Sequence, residues 1–146
     1  QYVERLKERL REEGLEREVE FFPNVTREDK RLFLSGLNVF SVPVKYGEAF
    51  GLYVIEALAS GVPVVQPRMA SFPEILGEDE AVGVLVENAD AESLANAWET
   101  LLGDKAKRGR MSQNAQRIAL EKFGLDAMVQ SQEVWANEVI QNWKCR

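Results

Sequence analysis

Histidine does not occur anywhere in the chain. A Ser-His-Asp triad, a histidine general base and the usual zinc ligand sets are therefore excluded, which leaves carboxylates, lysine, arginine and backbone dipoles to do any chemistry. Cysteine is almost as scarce. The one thiol, Cys145, stands beside the C-terminus and cannot close an internal disulfide. A reducing compartment fits, and no secretory signal precedes the Asn24-Val25-Thr26 sequon, so a cytoplasmic location is the expectation. Long apolar runs are missing too, since none approaches the roughly 20 residues that span a bilayer. Nor is there an excess of basic charge: a net charge of −6 argues against nucleic acid as the main partner. One basic cluster stands out, Lys105, Lys107, Arg108 and Arg110. It reads as a solvated helix face, with peripheral contact to anionic lipid as the functional alternative.

What is present suits a soluble globular chain. With 146 residues, 45% of them hydrophobic and 29% charged, a single domain over 1–146 with its own core is the expectation. Val3, Leu6 and Leu10 recur at helical spacing from Tyr2 to Glu13, and Gly14 stops that helix. Val19 to Phe22 is a short β-prone run ended by Pro23. Thr26, with Asp29 three residues on, opens a helix to about Leu34 in a near capping box, and Gly36 closes it. Leu37 to Val44, Val62 to Val65 and Val82 to Val86 read as buried strands, with a short helix near Pro73 between the last two. Asp90 caps a helix carrying Leu94, Trp98, Leu101 and Leu102 on one face, and helices over Lys105–Lys122 and Leu125–Trp143 follow.

Strands alternating with helices imply α/β architecture, a Rossmann-like parallel sheet with flanking helices. Only four strands can be found, fewer than such a sheet usually has. The expectation is that the first strands of the domain lie outside the chain, or that self-association through an exposed sheet edge completes it.

The stretch GEAFGLYVIEALASGVPVV, Gly47 to Val65, places Glu48 in a Gly-rich loop and Glu56 inside an apolar helix. In an open parallel sheet ligands bind where strands end and helices begin. The turn amides near Phe50, Gly51 and Leu52 suit a diphosphate, while a carboxylate beside them calls for a ligand that also carries hydroxyls. A nucleotide sugar has both. Helix-dipole stabilisation by Glu48, and a solvated or backbone-satisfied Glu56, are the bland readings of the same residues.

The stretch resembles the E-x7-E signature of retaining, nucleotide-sugar-dependent glycosyltransferases of the GT-B fold, in particular glycosyltransferase family 4, or group 1. The likeness includes Phe50-Gly51-Leu52, Glu56-Ala57 and Gly61-Val62-Pro63-Val64-Val65, and continues through QPRMASFPEIL, GVLVE and the helix start at Asp90. It implies the C-terminal half of a GT-B fold, lacking its first strands. It also implies Glu48 as the catalytic-site carboxylate beside the donor sugar, Glu56 on the ribose hydroxyls, and the turn Ala49, Phe50, Gly51 and Leu52 around the diphosphate. No divalent metal or other cofactor is implied. The acceptor-binding N-terminal domain, and a basic Arg and Lys pair on the first strands, would lie outside this chain, leaving it inactive by itself.

One departure is local. Where the family often has a Gly-Gly pair before Pro-Glu, this chain has Ala70-Ser71-Phe72-Pro73-Glu74, so Ser71 either adds a hydroxyl contact to the donor or serves the turn. Lys45 and Arg68 are loop cations near the expected cleft. Trp98, Trp135 and Trp143 read as core or interface aromatics. Competing functions are a sugar-nucleotide epimerase or phosphorylase on the same fold, and a non-catalytic α/β interaction module.

Overall fold

The computed structural model describes residues 2–87 and 90–144. Cys145, on which the redox expectation rests, lies outside the described residues. Where length alone suggests one domain, contacts group the chain into two compact units, 1–30 and 31–146.

In the first unit, helix α1 (Tyr2–Glu12) ends at Gly14, whose φ of 71° lies in the left-handed region that glycine tolerates. A 3-10 turn follows at Glu16–Glu18. The β-prone run Val19–Phe22 is not a strand: the backbone leaves the turn extended at Val19, but no ladder forms there. A strand is defined by its neighbour, and propensity cannot supply one. Helix α2 (Arg27–Ser35) begins as its sequence requires. The Thr26 hydroxyl accepts from the Asp29 amide at 3.1 Å, and the Asp29 carboxylate accepts from the Thr26 amide at 3.3 Å.

The second unit carries the sheet. Strands β1 (Val64–Pro67) and β2 (Gly83–Val86) are parallel, in register from Val64 opposite Gly83 to Pro67 opposite Val86. Gly83 is required there, because a Cβ would fall 2.3 Å from the Val64 carbonyl oxygen. The third run, Leu37–Val44, contributes a bridge and no strand. Phe40 donates its amide to the Pro63 carbonyl and accepts from the Val65 amide, both at 2.9 Å. Among the described residues two strands and a bridge stand where four strands were expected, and β1 runs two residues beyond its expected end to include Gln66 and Pro67.

Helices α3 (Leu52–Ala59), α4 (Phe72–Leu76), α5 (Ala91–Gly103), α6 (Lys105–Phe123) and α7 (Leu125–Lys144) follow the expected order. Asp90 caps α5 by accepting from the Ser93 amide at 2.7 Å, which holds its carboxyl below the usual aspartate range. Adjacent residues of a strand face opposite ways, and the core divides accordingly. Val64 packs with Val54, Leu58, Phe72 and Ile75 of α3 and α4, while Val65 packs with Leu94, Leu101 and Met111 of α5 and α6. This sandwich fixes the start of α3 at the C-terminal end of the sheet.

Candidate functional site

The start of α3 is built around Gly51. Its φ of 76° is left-handed, and a Cβ there would lie 3.2 Å from Ile75 Cδ1 and 3.5 Å from Phe72 Cε1. Only glycine meets both demands. The helical ladder starts with the Val54 amide, which donates to the Gly51 carbonyl at 2.9 Å. The amides of Gly51, Leu52 and Tyr53 therefore precede the ladder and lie at the positive end of the helix dipole.

Glu48 is held against this end. One carboxylate oxygen accepts from the Phe50 amide at 3.4 Å and the other from the Tyr53 hydroxyl at 3.2 Å. Tyr53 is the residue that sequence reasoning missed. Its only signal was position, five residues after Glu48 in the first turn of α3. Burial raises its pKa, and the hydrogen bond and negative charge of Glu48 raise it further, since both favour the neutral phenol. The ring also packs on Phe40, with centroids 6.3 Å apart.

Ser71 joins the same corner. Its amide donates to the Glu48 carbonyl at 3.4 Å, and a Cβ on Gly47 would be 3.4 Å from that of Ala70, so the two loops touch. Ser71 stands at the N-cap of α4, yet its hydroxyl makes no capping bond and is buried without a partner among the described residues. Ala70 has a φ of 49°, the left-handed conformation that a glycine would hold more cheaply.

Glu56 lies inside an apolar helix in sequence, yet α3 has an exposed strip: Leu52 and Ala59 are exposed, and Glu56, one turn beyond Leu52 on that strip, is half-buried. The helix packs on α4, β1 and α6 by its other residues, so an acid at 56 stands at the rim of the core. The structure thus brings together Glu48, Ala49, Phe50, Gly51, Leu52 and Ser71, with Glu56 about 6 Å along the helix from Leu52. Phe50 is 60% exposed, so its backbone, and not its ring, belongs to the turn's interior.

The two loop cations differ. Lys45 is exposed, whereas Arg68 is committed to Glu78 and, at 2.6 Å, to Glu87, which ties the ends of β1 and β2 together. In the basic cluster, Lys107 pairs with Glu80 at 2.6 Å and Arg108 donates to the Leu101 carbonyl at 3.0 Å. Those two serve structure. Among the described residues no group of three acids or thiols is placed to hold a metal ion, and no helix is long and apolar enough to cross a membrane.

Known proteins resemble this chain in sequence and in fold. The model of the family described as glycosyl transferases group 1 matches residues 1–118. A D-inositol 3-phosphate glycosyltransferase from Corynebacterium aurimucosum is 33% identical over 127 residues, 87% of this chain and 30% of that protein. Sucrose-phosphate synthase from Thermosynechococcus elongatus superposes with a TM-score of 0.81 at 28% identity, covering 95% of this chain and 34% of that one. HepE from Anabaena, solved in complex with UDP, gives 0.80 at 27% identity, with 93% and 37% covered. The chain spans about a third of the length of each. Its α/β arrangement is that of the C-terminal domains of GT-B glycosyltransferases. With a match over most of its residues, the chain belongs to the glycosyl transferases group 1 family.

Proposed function

We propose that this chain is the donor-binding part of a glycosyltransferase that moves a sugar from a nucleotide diphosphate sugar to a hydroxyl acceptor, with retention of configuration. The observation that carries the reading is the corner at α3. Uncapped amides at Gly51, Leu52 and Tyr53 face the site where a diphosphate would sit, beside a carboxylate fixed by Phe50 and Tyr53. Amides at a helix start stabilise the charge that develops on a leaving diphosphate, and they do so without a metal. Glu48 accepts hydroxyls of the donor sugar, and Glu56, one turn down the exposed strip, accepts those of the ribose. The Ser71 hydroxyl, which has no partner among the described residues, is available to the sugar. HepE was solved with UDP and with UDP-glucose, which supports a nucleoside diphosphate sugar as the ligand class here. The acceptor would be bound by a further domain, and the reaction would run in the cytoplasm.

Calorimetric titration with uridine, guanosine and adenosine diphosphates tests this. One of them should bind, and Glu56→Gln should weaken it roughly tenfold, since a hydrogen bond to a charged acceptor contributes about 1.5–3 kcal/mol. Circular dichroism should show the fold unchanged. If Glu56→Gln stabilises the fold and leaves affinity intact, position 56 is a tolerated acid and the ribose assignment fails.

A further inference from the structure

Among the described residues, the buried side-chain polar atoms that find no hydrogen-bond partner are Gln66 Nε2, Gln66 Oε1 and Ser71 Oγ. The two side chains bracket the turn between β1 and α4. The register of the sheet says which way Gln66 points, since paired residues of neighbouring strands face the same side. Gln66 lies opposite Leu85, which packs with the α3–α4 half of the core, whereas Val65 lies opposite Val84 in the α5–α6 half. Gln66 therefore faces α3 and α4, at the end of β1 that leads into the corner where the Ser71 amide meets the Glu48 carbonyl.

A glutamine enclosed there is costlier than an apolar side chain of the same length, because burial strips its amide of hydrogen bonds to water. Two other features show the turn away from its cheapest geometry. Ala70 holds a left-handed φ of 49°, and the Ser71 amide reaches the Glu48 carbonyl over 3.4 Å, longer than the usual range of about 2.7–3.2 Å. We infer that Gln66 is a positioning residue for the donor sugar: with a sugar bound, the turn at 67–71 shifts, the Ser71 hydroxyl meets a sugar hydroxyl, and the Gln66 amide supports Ser71 from within the core. This role rests on the nucleotide-sugar reading of the α3 corner and adds to it a residue from another element.

The chemistry of the two groups fits. A serine hydroxyl carries one donor and two acceptor sites, so Ser71 can donate to a sugar oxygen while it accepts from Gln66 Nε2. Gln66 Oε1 can accept from a peptide amide of the same turn. Methionine, of similar length and without an amide, would fill the space and support nothing. The unpaired amide burdens the free chain alone, and a ligand draws on any such difference between two states of its site. The amides offered to the diphosphate belong to the start of α3 and not to this turn, so the effect of Gln66 falls on the sugar.

Calorimetric titration with UDP and UDP-glucose, GDP and GDP-mannose, and ADP and ADP-glucose separates nucleotide from sugar. For the pair whose diphosphate binds, Gln66→Met should weaken the sugar nucleotide roughly tenfold and leave the bare diphosphate within about twofold. Ser71→Ala should do the same, and the double variant should lose no more than either change alone, because the two side chains act as one unit. In the unaltered chain, the Gln66 side-chain NH2 resonance, assigned by triple-resonance spectroscopy, should move with the sugar nucleotide and stay in place with the diphosphate. No loss for the sugar nucleotide, an equal loss for both ligands, additive losses, an unmoved NH2 resonance, or a free chain destabilised by Gln66→Met would each overturn the inference while leaving diphosphate binding intact. Failure of all three diphosphates to bind the unaltered chain would instead overturn the reading on which it rests.

Discussion

Tyr53 and Gln66 show how single side chains register their surroundings. The Tyr53 phenol is held neutral by burial, and then by the Glu48 carboxylate that accepts its hydrogen bond. A pKa raised in the folded state contributes stability that is fully present below the unfolded value of about 10 and is lost as pH rises through the folded value. Ultraviolet titration should therefore show one of the three tyrosines ionising later than the others. Tyr53→Phe should delete that late phase, and Glu48→Gln should move it to lower pH. Gln66 presents the opposite case, a side chain with no exposure and, among the described residues, no partner for either polar atom of its amide. Unsatisfied buried groups cost about 1–3 kcal/mol, so Gln66→Met, which keeps the length and removes the amide, should raise stability by roughly 1 kcal/mol or more in urea unfolding. A loss of stability would mean that the amide finds a partner in solution.

At the scale of elements, the turn before α3 matters most, because conformation and crowding both act at Gly51. Alanine at a φ of 76° costs about 1–2 kcal/mol, and its methyl would sit 3.2 Å from Ile75 Cδ1. Gly51→Ala should lower stability by at least about that amount, read by the urea midpoint, and weaken nucleotide affinity beyond what Glu56→Gln does, because it moves the amides themselves. Such turns were legible beforehand. Gly51 before an apolar helix, Thr26 with Asp29, and Asp90 ahead of Leu94 are local signals whose chemistry is complete within a few residues. The strands were not equally legible. Val19–Phe22 has the composition of a strand but no ladder, and Leu37–Val44 pairs only through Phe40. β-pairing is decided by a remote partner, which composition does not contain.

For the whole molecule, binding and folding are linked: a nucleotide at a hundred times its dissociation constant should add about 2.7 kcal/mol to stability, visible as a rise in melting temperature. A nucleotide that leaves the melting temperature unchanged at that concentration is not a ligand of the folded chain. The sequence by itself determined the helices, their caps, the α/β order and the candidate carboxylates Glu48 and Glu56, because these depend on periodicity and on neighbours within one turn. Tertiary structure alone decided the remainder. It placed Ser71 against the Glu48 loop, gave Glu48 the Tyr53 hydroxyl, committed Arg68 to Glu78 and Glu87, and turned the Glu56 strip of α3 towards solvent. Apart from the Glu48–Tyr53 bond, these outcomes depend on contacts between segments distant in the chain, and such contacts follow from how the layers pack, which no local pattern records.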